Sequence, residues 1–118
     1  LREKPPLESA IVKKIIAYLN SLDGCRALKR HGGRLRGGEP DIYGSYYGRH
    51  FELEVKRSDK VKITPRQASC ICKWKKAGAI ADVVTSIEDV MNVFQMKGFF
   101  LEKKGADTNW RKGSNANW

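Results

Sequence analysis

Five side chains in this 118-residue sequence are of the types that phosphodiester chemistry uses: Glu8, Asp41, Glu54, Lys56 and Gln67. The clearest segment is Phe51-Glu52-Leu53-Glu54-Val55-Lys56, in which apolar and charged residues strictly alternate. On an extended strand such alternation sends Phe51, Leu53 and Val55 to one face and Glu52, Glu54 and Lys56 to the other. Glu54 and Lys56 would then be neighbours on one face, roughly 6.5–7 Å apart. A carboxylate there can hold a hard divalent cation. The lysine beside it can orient an attacking water and stabilise charge on a phosphate. Taken alone, the pair reads as an exposed ion pair on a solvated sheet face.

Asp41 sharpens the picture. It follows a glycine-rich loop and Pro40, which biases Glu39 towards an extended backbone and so fixes the direction in which Asp41 enters a strand. If that strand pairs with the Glu54 strand, both carboxylates can converge on one cation; an ordinary loop-to-strand Asp is the other reading. Glu8 borders the apolar stripe of a first helix, where the helix dipole also favours an acid. Gln67 closes a Thr64-Pro65-Arg66-Gln67 capping box, yet shares a helical face with Ile71 and Trp74 that turns inward.

The elements that must position these residues follow from periodicity and punctuation. Leu7, Ile11, Ile15, Leu19 and Leu22 predict a helix that stops at Asp23-Gly24. Cys25 to His31 reads as a short strand, and residues 32–40 as a loop. Asp41-Ile42-Tyr43 is a second strand, with a turn around Gly44 to Gly48. Arg49 to Lys56 is the third. Thr64-Pro65 opens a helix that ends before Gly78, Ile80 to Thr85 is a strand, and Ser86 caps a last helix to about Met96. The order α-β-β-β-α-β-α predicts an α/β fold, a small mixed sheet flanked by helices. Residues 1–101 are expected to form one domain, and residues 102–118 a polar tail.

Gly38-Glu39-Pro40-Asp41, Glu54-Val55-Lys56 and the Thr64-to-Gln67 helix start, with Glu8 on a preceding helix, resemble the motifs of VRR-NUC domains. These are virus-type replication-repair nucleases of the PD-(D/E)xK superfamily, and the resemblance runs from about Leu7 to Val90. It implies a restriction-endonuclease-like αβββαβ core and Mg²⁺- or Mn²⁺-dependent hydrolysis of DNA. By that pattern Asp41 and Glu54 are metal ligands together with the Val55 carbonyl, and Glu8 reaches the same centre. Lys56 positions or activates the water, and Gln67 supports the site. Short stand-alone members of the family are similar to Holliday-junction resolvases and act as homodimers. The resemblance thus implies a bacterial or phage-encoded homodimer acting on branched DNA, a four-way junction above all, in DNA repair. A flap-cutting or sequence-specific nuclease and a non-catalytic DNA-binding module are the alternatives.

Charge agrees with a polyanionic partner. Lys and Arg number 23 against 13 Asp and Glu, a net charge of +10. Five basic residues and no acid occupy 26–36, and eight against one occupy 56–76. Arg30, Arg34, Arg36, Arg57, Lys60, Lys62, Arg66 and Lys73 are the expected DNA contacts. Tyr46, Tyr47, Trp110 and Trp118 are candidates for stacking on unpaired bases, or for packing on the protein itself. His31 and His50 stand alone, with no cysteine at metal-ligand spacing. The three cysteines, Cys25, Cys70 and Cys72, read as free thiols of a reducing cytoplasm. No apolar run approaches the roughly 18 residues of a spanning helix, so no membrane partner is expected. The apolar residues Val90, Val93, Phe94, Phe99 and Phe100 are the candidate dimer surface, with a core role as the alternative.

Overall fold

The two faces of one strand organise the molecule. In the computed structural model, which describes residues 7–32 and 37–101, a four-stranded sheet runs in the order β1 (Cys25–Lys29), β2 (Ile42–Tyr46), β3 (Arg49–Val55), β4 (Ile80–Val84). The first three strands are antiparallel neighbours, and β4 joins β3 in parallel. A parallel pair needs a crossover, and α2 (Pro65–Lys76) supplies it. Helices α1 (Glu8–Asn20) and α3 (Ile87–Met96) pack on the opposite face. The element order expected from the sequence is the order found.

The core lies between α1, α3 and the apolar face of the sheet. Ile11, Val12, Ile15 and Leu19 of α1 meet Phe51, Leu53 and Val55 of β3, together with Val90 and Phe94 of α3. Phe94 meets Phe51 edge-on at 5.5 Å and Tyr46 at 5.9 Å. Val90 and Phe94 are thus core residues, and Val93 and Phe99 pack against them. The stretch considered as a dimer surface is mostly spent on the fold; Phe100 alone of the five is exposed. Tyr46 is also buried in this cluster, which removes it as a base-stacking candidate.

Local chemistry explains the boundaries. Thr64 accepts from the Gln67 N–H and Gln67 returns the bond, so α2 begins with a complete capping box. Ser86 accepts from the Asp89 N–H at the start of α3. The turn expected over 44–48 is shorter than that. Gly44 to Tyr46 belong to β2, and Tyr47-Gly48 alone make the loop, both with positive φ, as a tight hairpin requires. Gly44 is needed in mid-strand because a Cβ there would collide with the Arg26 carbonyl. On the edge strand β1, Asn20 takes both the N–H and the carbonyl of Ala27, at 2.8 and 3.0 Å, and blunts that edge.

Among the described residues no helix is long and apolar enough to cross a membrane. Phe94→Ala should cost about 3–5 kcal/mol by urea unfolding, the range for emptying a buried aromatic site. Met96→Ala, on the exposed side of the same helix, should change stability by less than about 0.5 kcal/mol.

Candidate active site

Strand β3 buries both of its faces, and this decides the chemistry. Phe51, Leu53 and Val55 enter the core, while α2 covers Glu52 and Glu54, which are 0% and 2% exposed. The solvated sheet face considered for Glu54 and Lys56 is not what the fold builds. Lys56 is buried as well, its Nζ 3.8 Å from Glu54 Oε2.

The two glutamates are compensated very differently. Glu52 receives Arg30 through both oxygens, at 2.5 and 3.0 Å, and His50 Nε2 lies 2.6 Å from its Oε2. Such a fork-on-carboxylate pair replaces lost hydration well. Glu54 has the 3.4 Å bond from Gln67 Nε2, the Lys56 ammonium and a side-chain contact with the Asp41 carboxyl group, and no donor group reaches its buried Oε1. Burial pushes the Glu54 carboxyl up to about 8, with the Asp41 carboxylate adding to the rise, Lys56 opposing it and Glu8 contributing more weakly. A buried carboxyl group facing a second one, with one oxygen lacking a donor, is chemically suited to a cation.

Asp41 reaches this place by backbone pairing. Ile42 lies opposite Leu53, so the residue before it arrives beside Glu54 and Val55. The Val55 N–H donates to Asp41 Oδ2 at 2.8 Å and fixes its carboxylate. Arg30 holds the approach: its N–H donates to the Asp41 carbonyl at 2.7 Å and its guanidinium to the Pro40 carbonyl at 2.8 Å. Glu8, in the first turn of α1, is near enough to act on Glu54 through space. Gln67 serves both readings at once, its Oε1 closing the helix cap and its Nε2 reaching Glu54.

The other four residues considered for chemistry, Glu8, Asp41, Lys56 and Gln67, therefore all act on Glu54. Hard oxygen donors of this kind suit Mg²⁺ or Mn²⁺. Among the described residues no three His, Cys, Asp or Glu side chains already stand as a complete ligand set. The fit rests on the Asp41–Glu54 pair and the unsatisfied Glu54 oxygen.

The expected DNA contacts divide. Arg57, Lys60, Lys62, Arg66 and Lys73 are exposed, and none is engaged by a described carboxylate. Arg30 is committed to Glu52 and positions Asp41, so it is no free positive charge. Arg34, Arg36, Trp110, Trp118 and the 102–118 tail lie outside the described residues. Sequence reasoning passed over Glu52, His50 and Trp74 as participants, although parity along β3 already placed Glu52 on the face of Glu54. All three cysteines are free thiols.

Without added metal, the folded state holds the Glu54 proton more tightly than the unfolded chain does. Its contribution to stability is complete below about pH 4.5 and is lost as pH rises through about 8. In EDTA, urea unfolding of the native protein relative to Glu54→Gln should show this loss between pH 5 and 8.5. Its slope should be no steeper than about 1.4 kcal/mol per pH unit. A difference that stays flat across that range would remove the buried-carboxyl assignment.

No family model matches the sequence, and no curated protein matches it. Solved structures do match. One described as a "VRR_NUC domain protein" superposes with a TM-score of 0.61 at 19% identity, covering 78% of this chain and 88% of its own. Another, described as a "VRR_NUC domain", gives 0.61 at 24% identity, covering 79% and 96%. At such identities the likeness is one of fold, and the chain has the fold of these VRR_NUC domain structures.

Proposed function

We propose that this protein is a divalent-metal-dependent endonuclease that hydrolyses DNA phosphodiester bonds. The observation that carries the proposal is the buried, unsatisfied Glu54 oxygen beside Asp41 and Lys56, on a fold shared with VRR_NUC domains. Asp41 and Glu54 are the residues that would hold Mg²⁺ or Mn²⁺, with Glu8 and the Val55 carbonyl completing the set. A hard cation bound there supplies Lewis-acid stabilisation of the charge that builds on the phosphate.

The remaining work falls to the chain itself. Lys56, held against Glu54 and out of bulk water, directs an ammonium at the reacting phosphate, where it orients the attacking water and offsets negative charge. Its buried setting makes that charge act more strongly than it would in solvent. Gln67 restrains Glu54 from the α2 side, and the Val55 N–H keeps Asp41 from rotating away. The exposed Arg57, Lys60 and Lys62 lie in the segment that follows Lys56, and Arg66 and Lys73 lie on the exposed surface of α2. They are the proposed contacts to the DNA backbone on either side of the cut.

The proposed substrate is branched DNA, with a four-way junction as the leading case. A junction is two-fold symmetric, so paired cuts call for a two-fold dimer. Met91 and Met96 leave apolar surface on the outer side of α3 and are available to such an interface.

End-labelled four-way junction, 5′ flap and matched duplex, each with Mg²⁺, Mn²⁺ or EDTA, test the proposal. Metal-dependent cutting should fall at least about 100-fold in Lys56→Ala and in Glu54→Gln, the scale for losing an electrostatic catalytic group. Salt-dependent binding without cleavage in any metal would leave a DNA-binding module. Lys60→Ala and Lys62→Ala should each lower the slope of log affinity against log salt by about 1. A monomer in light scattering at micromolar concentration would remove the paired-cut reading.

A further inference from the structure

The polar face of the sheet carries a second cluster, whose aromatic members the proposed hydrolysis does not use. His50 of β3, Trp74 of α2 and Tyr43 of β2 gather around the Arg30–Glu52 ion pair. The His50 and Trp74 rings are 4.9 Å apart and tilted by 35°. The Arg30 guanidinium lies 4.7 Å over Tyr43 and 6.0 Å from Trp74. The result is a continuous row of ring, guanidinium, indole and imidazole, from β2 through the residue that follows β1 to α2 and β3.

We infer that the His50–Trp74 pair is a stacking platform for an unpaired nucleobase of the bound DNA, a few nucleotides from the scissile phosphate. The inference rests on the nuclease reading above and specifies what its substrate presents to the protein.

Three observations support this occupant. His50 is immobilised although it faces solvent: its side chain is 41% exposed, while its Nε2 is tied to a carboxylate that is wholly buried. Ile71 buries the same side of α2, so docking this helix does not depend on the open side of the imidazole. The formal charges of Arg30 and Glu52 cancel, so the cluster offers flat π surface and not an anion site. Phosphates are left to the exposed lysines and arginines; a neutral, flat ring is what the platform fits.

Placement supplies the link to the reaction. His50 is four residues before Glu54 on the same strand face, about 13 Å away at the rise of a β-strand. That is about four nucleotide steps along a duplex strand. Stacking at this distance requires a base that has left its helix, which a branch point or gap provides and continuous duplex does not. The platform therefore selects DNA that is unpaired near the cut.

The test reads binding in EDTA, where no cleavage occurs. Labelled duplex carrying a three-nucleotide gap is prepared with thymines in the gap or with abasic sugars there, and affinity is measured by anisotropy. The native protein should bind the thymine gap at least about fivefold more tightly, the factor that one stacked base contributes. His50→Ala and Trp74→Leu should lose that preference while keeping the affinity for the abasic gap and the salt slope. Trp74→Phe, which retains a ring, should keep the preference, so loss of stacking is separated from loss of fold. Lys56→Ala should keep it as well, so a failure of the nuclease reading leaves this result standing by itself. Equal affinity of the native protein for the two gaps, or variants that weaken both gaps equally, would overturn the inference.

Discussion

A carboxylate can leave water only if something replaces the water, and β3 faces that requirement twice within three residues. Glu52 meets it with a bidentate arginine and a histidine, and its burial is thereby compensated. Glu54 does not meet it. A weak bond from Gln67, a lysine at 3.8 Å and the adjacent Asp41 carboxyl group leave one oxygen without a donor, and burial pushes the carboxyl up to about 8. The contrast separates a fully compensated acid from one whose burial is left partly uncompensated. Both are buried by the same helix and differ only in what lies opposite them.

The compensated pair also builds the uncompensated one. Arg30 stands at the end of β1 and grips Glu52, while its backbone and guanidinium hold the Pro40–Asp41 segment. That segment delivers Asp41 onto the Val55 N–H, beside Glu54. Removing one partner of a buried ion pair costs about 3–5 kcal/mol, because the other charge is stranded. The position of Asp41 is therefore tied to the stability of the sheet. A carboxylate pair that must stay close in spite of its repulsion needs such rigid backing.

The helix that covers this face does several jobs with few residues. Gln67 closes the α2 cap with its carbonyl and restrains Glu54 with its amide. Ile71 packs, and Trp74 flanks His50 and Arg30. Residues at i, i+4 and i+7 of one helix face thus span the distance from the acidic centre to the aromatic cluster. Exposed basic residues continue around it, so a small region of negative charge sits within a strongly positive surface. Phosphate can be drawn to the surface as a whole and still meet carboxylates at one point.

Much of this was legible in the sequence, because it depends on local rules. Alternation along residues 51–56 defines β3 and its parity, Thr64-Pro65 starts α2, Ser86 starts α3, and apolar spacing gives α1. These rules put Glu8, Glu54 and Gln67 on the elements found, and Asp41 and Lys56, expected inside strands, lie one residue before β2 and one residue after β3. They could not tell a solvated strand face from a covered one, since alternating Glu and Lys look the same until a helix lies over them. Nor could they separate Arg30 from the other basic residues, because its partner Glu52 lies 22 residues further along the chain, on β3. The sequence by itself determined which groups exist and which way each strand presents them. Tertiary structure decided which of them lose water, and for a charged side chain that loss separates an ordinary surface residue from a reactive one.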